Sequence, residues 1–153
     1  MRAPKQVLVI PYLIDNFILK LFILKRSDLD VWQWVAGGVE SDESTYDAAI
    51  RESTEELGIV CEGYKVIELE TKCSIPKCHF KIQESAYEQF YTVTEYSYAI
   101  QIKEDDKIEL SDEHYEYACI TYEQLANIKT WDSNKTAAWE LHQRLLDLNV
   151  IVS

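Results

Sequence analysis

Residues 51–56 hold Arg51, Glu52, Glu55 and Glu56. On a helix turning ~100° per residue, the three glutamates fall within about 100° of arc on one face. That face lies opposite a stripe of Tyr46, Ile50 and Leu57, and Ala48 and Ala49, one turn earlier, do little to screen it. Crowded carboxylates repel, each like-charge pair at i,i+4 costing a helix roughly a few tenths of a kcal/mol. A divalent cation reverses the sign of that cost. Hard oxygen ligands at this spacing suit Mg²⁺ or Mn²⁺ rather than zinc, which favours Cys and His. The competing reading is a solvated acidic face on which Arg51 pairs with Asp47 or Glu55 at i±4. Residues upstream weigh against it, since Gly37 stands six residues before Glu43 and Glu43 stands eight before Arg51.

Such a face works only if a helix forms and is held against something. Tyr46, Ile50, Ser53 and Leu57 recur at helical spacing, which predicts a helix over Ser44–Leu57. Ser44 is a suitable N-cap with Asp47 three residues on, a variant of the capping box, and Gly58 stands where a C′ glycine ends a helix. Before it, Val7–Ile14 and Phe17–Arg26 are rich in β-formers and separated by Asp15-Asn16, the pattern of a hairpin. Val31–Val35 reads as a short strand running into Gly37-Gly38. After the helix, Tyr64–Ser74 and Tyr87–Ile102 read as strands. The loop Ser74–Ala86 between them contains Pro76 and, with Lys72 beside it, a basic group of Lys77, His79 and Lys81. Tyr115–Ile120 predicts a further strand, Thr121–Asn127 a short helix and Ser133–Leu148 a closing helix. Strands on both sides of one central helix predict an α+β sandwich.

Residues 37–59 as a whole, from Gly37 and Gly38 through Glu43, Arg51, Glu52, Glu55 and Glu56 to Gly58 and Ile59, resemble the Nudix box. Its pattern is Gly-x5-Glu-x7-Arg-Glu-U-x-Glu-Glu-x-Gly-U, with U a bulky aliphatic, and every fixed position matches. Ser53 departs from it at the first U position, which weakens helix-to-sheet packing without touching a ligand. The resemblance implies the Nudix fold, a mixed β-sheet sandwiched between α-helices, with the box as loop–helix–loop and one domain over residues 1–153. It implies hydrolysis of a nucleoside diphosphate linked to another moiety, with Mg²⁺ or Mn²⁺ as cofactor. By resemblance Glu52, Glu55 and Glu56 are the metal ligands, joined by the carbonyl of Gly37. Arg51 orients the glutamates, while Glu43, Gly38 and Gly58 shape the loops. Bound metal neutralises the diphosphate, polarises phosphorus–oxygen bonds and lowers the pKa of the attacking water.

Outside the box, Arg26-x5-Trp32-x4-Gly37, the pair Glu113-His114 and the stretch Lys129–Lys135 resemble a bacterial subgroup of dihydroneopterin triphosphate or dATP diphosphatases. Cys119 replaces that subgroup's usual aromatic. Nudix enzymes often draw a further glutamate from a loop outside the box, which makes Glu113 a candidate to complete the metal shell or to act as general base. The alternative for Glu113 is a solvated run with Asp112 and Glu116, and His114 reads as a structural or surface histidine. Trp32 and Trp34 alternate on a strand approaching the box, so one could stack on a base or pterin ring, with core packing the competing fate of each. Arg26 ends a strand near the box loop and is the best of the cations for a terminal phosphate, ahead of Lys72, Lys77 and Lys81.

The balance of 15 Lys+Arg against 27 Asp+Glu, net −12, repels a phosphate backbone and argues against a nucleic-acid partner. The implied partner is a small nucleotide or pterin triphosphate approached through metal, and the resemblance leaves a homodimer open. Pro11, Asp15, Asn16 and Lys20 interrupt the apolar N-terminal stretch, so no membrane span and no signal peptide is read. The four cysteines fit no zinc or disulfide spacing, which predicts reduced thiols and a cytoplasmic protein. The expected activity is release of pyrophosphate and a monophosphate from a triphosphate-like substrate. The alternative is a non-catalytic nucleotide or ADP-ribose-like sensor on the same fold, against which the full set of box glutamates weighs.

Overall fold

Alternation along the first strand sets the architecture. Val7 and Val9 face one way, and Leu8, Ile10 and Tyr12 the other, all within 1% of full burial. A strand buried on both faces needs a cover on each. In the computed structural model, which describes residues 2–80 and 89–153, those covers are the two α-helices. The elements in chain order are β1 (Arg2–Asp15), β2 (Ile18–Arg26), β3 (Trp32–Gln33), β4 (Val35–Glu40), α1 (Thr45–Leu57), β5 (Val66–Pro76), β6 (Thr92–Gln101), β7 (His114–Ile120) and α2 (Asp132–Asp147). Short 3₁₀ turns occupy Lys77–His79 and Glu123–Asn127.

The described strands form one mixed sheet. β6 runs parallel to β1 along one edge. The other edge of β1 is shared, pairing β2 over Tyr12–Asp15 and β4 over Arg2–Val9, both antiparallel. β5 extends the sheet beyond β6, while β7 and β3 pair β2. On one face Leu8, Ile10, Leu21 and Ile23 pack with Ala137, Ala138, Leu141 and Leu145 of α2. On the other, Val7, Val9 and Val35 pack with Ala48, Ala49 and Leu57 of α1. Each fully buried aliphatic side chain contributes about 1.5–3 kcal/mol. This is the α+β arrangement that the box resemblance implies, a mixed sheet between helices. No described helix is long and apolar enough to cross a membrane.

Several boundaries differ from expectation. The hairpin turns at Asn16-Phe17, both at positive φ (50° and 64°), because Asp15 pairs Ile18. That is the two-residue turn whose twist suits a hairpin. The strand expected over Val31–Val35 breaks at Trp34, and β4 continues through Gly37 and Gly38, which pair Val7 and Gln6. Ser74–Pro76 belong to β5 rather than to the following loop, and Lys81–Ala86 lie outside the described residues. Tyr87, expected to start the next strand, lies there too. The four cysteines are free thiols, with Cys61 buried.

One polar tie fastens α2 to the sheet. The β5–β6 register shifts between Glu68 and Lys72. This bulge frees backbone N–H groups from the ladder. The Glu140 carboxylate of α2 accepts from Glu70 N (2.7 Å), Thr71 N (2.8 Å) and the Thr71 hydroxyl (2.6 Å), and Arg144 holds it from behind (2.8 Å). Burial opposes ionisation of Glu140, but these donors outweigh it and hold the carboxyl below the usual carboxylate range.

Candidate functional site

The loop–helix–loop is built by local chemistry. Ser44 caps α1 by accepting from Asp47 N (3.0 Å), and Gly58 ends it at φ 67°, donating to Thr54 O. A Cβ at Gly58 would stand 2.6 Å from Glu109 O, so the left-handed turn and the close approach of the following loop both demand glycine. The Arg51 guanidinium grips Glu43 with two bonds of 2.8 Å and donates to Gly38 O (2.9 Å), Glu52 (2.9 Å) and Glu55 (3.4 Å). Such a planar fork fixes the loop as a lysine could not. It also holds the Glu43 carboxyl below its ordinary range. Arg51 thus makes the i,i+4 contact with Glu55 that a solvated face would also give, but its shorter bonds go to Glu43, Gly38 and Glu52.

The three helical carboxylates do not form one open face. Glu52 and Glu56 are 8% and 3% exposed and lie on the buried side with Ala48, Ala49 and Ser53, whereas the Glu55 side chain is 54% exposed. Glu52 lies against Gly37, where a Cβ would come within 1.9 Å of its Cδ. Burial, countered by Arg51, pushes the Glu52 carboxyl up to about 7, and Glu55 and Glu56 add to the rise. Ser53, at the position where the box pattern has an aliphatic, is fully buried.

Glu56 meets a different set of residues. Its Oε2 accepts from Ser111 Oγ (2.7 Å) and from His114 Nδ1 (2.8 Å). Burial works against its charge, but His114 and Ser111 hold its pKa low. Glu113 is pushed the other way, by burial first and then by the negative charge of Glu56. Glu56, Glu113 and His114 each offer a ligand atom, all within 4.8 Å of one another. The structure therefore brings Glu113 to α1 and buries His114, which is no surface residue.

The remaining expectations divide. Trp34 is fully buried, its Nε1 donating to Asn134 O (2.8 Å) while its amide donates to Asn134 Oδ1 (3.0 Å). No ligand can stack on it, so the substrate-binding expectation for Trp34 is corrected to core packing. Trp32 is half-buried beneath the Lys25 ammonium. Arg26 pairs Asp28 through two bonds (2.8 and 2.6 Å), and its strand partner is His114. It also lines a cavity of about 500 Å³ on the α2 face, with Leu8, Ile75, Phe80, Glu95 and Trp131 among its other walls. Sequence reasoning missed Ser111, which carries no pattern, and Glu95. The second left a signal, because Val93, Glu95, Ser97 and Ala99 alternate toward one face of β6.

Oxygen donors from Glu56 and Glu113, with the buried carboxylate of Glu52 close enough to feel Glu56, suit a hard divalent cation. A family model described as the NUDIX domain matches residues 5–140. A structure from Listeria monocytogenes str. 4b F2365, described as a candidate NUDIX hydrolase, is 38% identical, covers 99% of this chain and 100% of that one, and superposes at TM-score 0.83. The E. coli dihydroneopterin triphosphate pyrophosphohydrolase is 25% identical over 95% of this chain and 97% of its own, at TM-score 0.71. Among curated proteins, an RNA pyrophosphohydrolase of Campylobacter jejuni (strain 81-176) is 49% identical over 43 residues, 28% of each chain. That match thus spans little more than a quarter of the relative's length.

Proposed function

From the premise that this chain belongs to the NUDIX family, we propose that it is a divalent-metal-dependent pyrophosphohydrolase of a small nucleoside- or pterin-type triphosphate, releasing pyrophosphate and the monophosphate. The observation that carries the reading is the meeting of Glu56, Glu113 and His114 beside a cavity whose wall includes Arg26, the strand partner of His114. Glu52, Glu55 and Glu56 hold Mg²⁺ or Mn²⁺, with the Gly37 carbonyl beside them. The cation, when bound, neutralises the diphosphate and polarises its phosphorus–oxygen bonds. Arg51 aims the glutamates it grips. Glu113 takes the proton from the attacking water, and its raised proton affinity suits that task. Water oxygen bonds to phosphorus as the bridging P–O bond breaks, and the electron pair leaves on pyrophosphate. Arg26 and Trp32 flank the entering substrate.

The likeness to the E. coli protein described as dihydroneopterin triphosphate pyrophosphohydrolase supports this substrate class. The RNA pyrophosphohydrolase relatives present the same anhydride on a polynucleotide. A net charge of −12 disfavours so long an anion. Incubation of a triphosphate panel with Mg²⁺, scored for pyrophosphate against phosphate, tests the reading. Pyrophosphate release abolished by chelator is expected; stepwise loss of single phosphates, or turnover in excess chelator, overturns it.

A further inference from the structure

Among the described residues lining the 500 Å³ cavity, Glu95 alone is both ionisable and buried, at 5% exposure. Its neighbours by register are Gln6 on β1 and Cys73 on β5. The Gln6 amide and the Ser133 hydroxyl (3.5 Å) hydrogen-bond its carboxyl, and among the described residues no Lys or Arg pairs with it. A carboxylate accepts at about four lone-pair sites, so roughly two remain. A buried carboxylate without a counter-charge is costly, and the protein places this one in the wall of a cleft of mixed apolar and polar lining. Burial pushes its carboxyl up to about 7 against the pull of Gln6 and Ser133.

Position adds to the case. Gln6 pairs Glu95 on one side and Gly38 on the other, so Glu95 stands two strand spacings, roughly 10 Å, from the start of the loop–helix–loop. That is the scale on which a nucleoside separates its base from its phosphates. The cavity walls Leu8, Ile75, Phe80 and Trp131 offer apolar and aromatic surface to a flat ring. In its ionised form this group is acceptor-only, and its two oxygens select a ring edge with two adjacent donors. Adenine and cytosine place a donor beside an acceptor, and uracil places one donor between two acceptors. The amino group and neighbouring ring N–H of an aminopyrimidinone, the edge shared by guanine and pterin, supply a donor pair.

We propose that Glu95 is the specificity-determining residue of this cavity, its carboxylate accepting both N–H donors of an aminopyrimidinone ring. The proposal rests on the reading above that the cavity receives the substrate's heterocycle. It is tested by titration calorimetry of the full chain with Mg²⁺ and three monophosphates that need no turnover: guanosine, inosine and adenosine 5′-monophosphate. Inosine lacks only the 2-amino donor. Hydrogen bonds to a charged group are worth enough to make guanosine monophosphate bind ~10–100-fold tighter than the other two. Glu95→Gln should bring the three within a few-fold of one another. Equal affinity of wild type for guanosine and inosine monophosphates, a preference that survives in Glu95→Gln, or binding by none of the three overturns the proposal. Should Glu95→Gln fail to fold, the wild-type comparison still decides. Discrimination without hydrolysis of any triphosphate would defeat the proposed activity alone, and hydrolysis without discrimination would defeat this assignment alone.

Discussion

The imidazole of His114 and the carboxylate of Glu56, 58 residues apart in the chain, meet at 2.8 Å with both side chains at least 96% buried. The contact joins the end of α1 to the start of β7, and it turns Glu56 away from Arg51 toward Glu113. One helix thus serves two clusters: Glu52 and Glu55 with Arg51, and Glu56 with Ser111, Glu113 and His114.

Glu56→Gln retains the shape and a hydrogen-bonding oxygen but removes the charge. Loss of several kcal/mol of charge stabilisation corresponds to a fall of about 10²–10⁴-fold in kcat. Circular dichroism should stay unchanged while Mg²⁺ affinity weakens. Activity within a few-fold of wild type would remove Glu56 from the metal shell.

Glu113→Gln separates proton transfer from metal binding. General-base removal lowers kcat by about 10²–10⁴-fold with little change in KM. Metal affinity should drop far less than in Glu56→Gln. A variant matching wild type at every pH returns the base role to Glu52 or Glu55.

Gly37→Ala places a methyl group 1.9 Å from Glu52 Cδ. The carboxyl is the free end of a side chain and can swing aside, so unfolding stability should fall by no more than about 1–3 kcal/mol. The displaced carboxylate no longer sits where Arg51 aims it, and kcat should fall by at least tenfold. A large stability loss with normal specific activity would contradict this.

Glu140→Ala leaves the Glu70 and Thr71 amides of the β5 bulge without their acceptor. Unsatisfied donors cost about 1–3 kcal/mol each where water cannot replace the acceptor. The pH dependence has a definite sign, because Glu140 is held below its ordinary pKa when folded. Its contribution is complete above the unfolded carboxylate pKa and is lost as pH falls through the lower folded value. Denaturant melts of wild type and variant should therefore differ most near neutrality and converge in acid.

Trp34→Phe removes the indole N–H from Asn134 O and leaves a gap in the core. Thermal unfolding should shift downward by several degrees, roughly 1–3 kcal/mol. KM for any triphosphate should not change. A raised KM at unchanged stability would restore the stacking role.

What the sequence determined by itself was the helix and the order of its chemistry. Ser44, Asp47 and Gly58 act within one turn of α1, and the Glu52, Glu55 and Glu56 spacing follows from 3.6 residues per turn. These interactions are local, so the amino-acid types alone specify them. The β-rich runs Val7–Ile14 and Phe17–Arg26 likewise marked the first hairpin. Tertiary structure decided the rest. The same helix periodicity that grouped the three glutamates could not say that β4 would close over Glu52 while the segment before β7 would claim Glu56. Trp32 and Trp34 were indistinguishable by type and spacing, and Asn134, 100 residues on, settled which became core. Glu95 became the buried carboxyl of a cavity because β1 and α2, both far from β6 in the chain, join β5 around it. Contacts of that separation depend on how the sheet is threaded, which no local pattern of residues encodes.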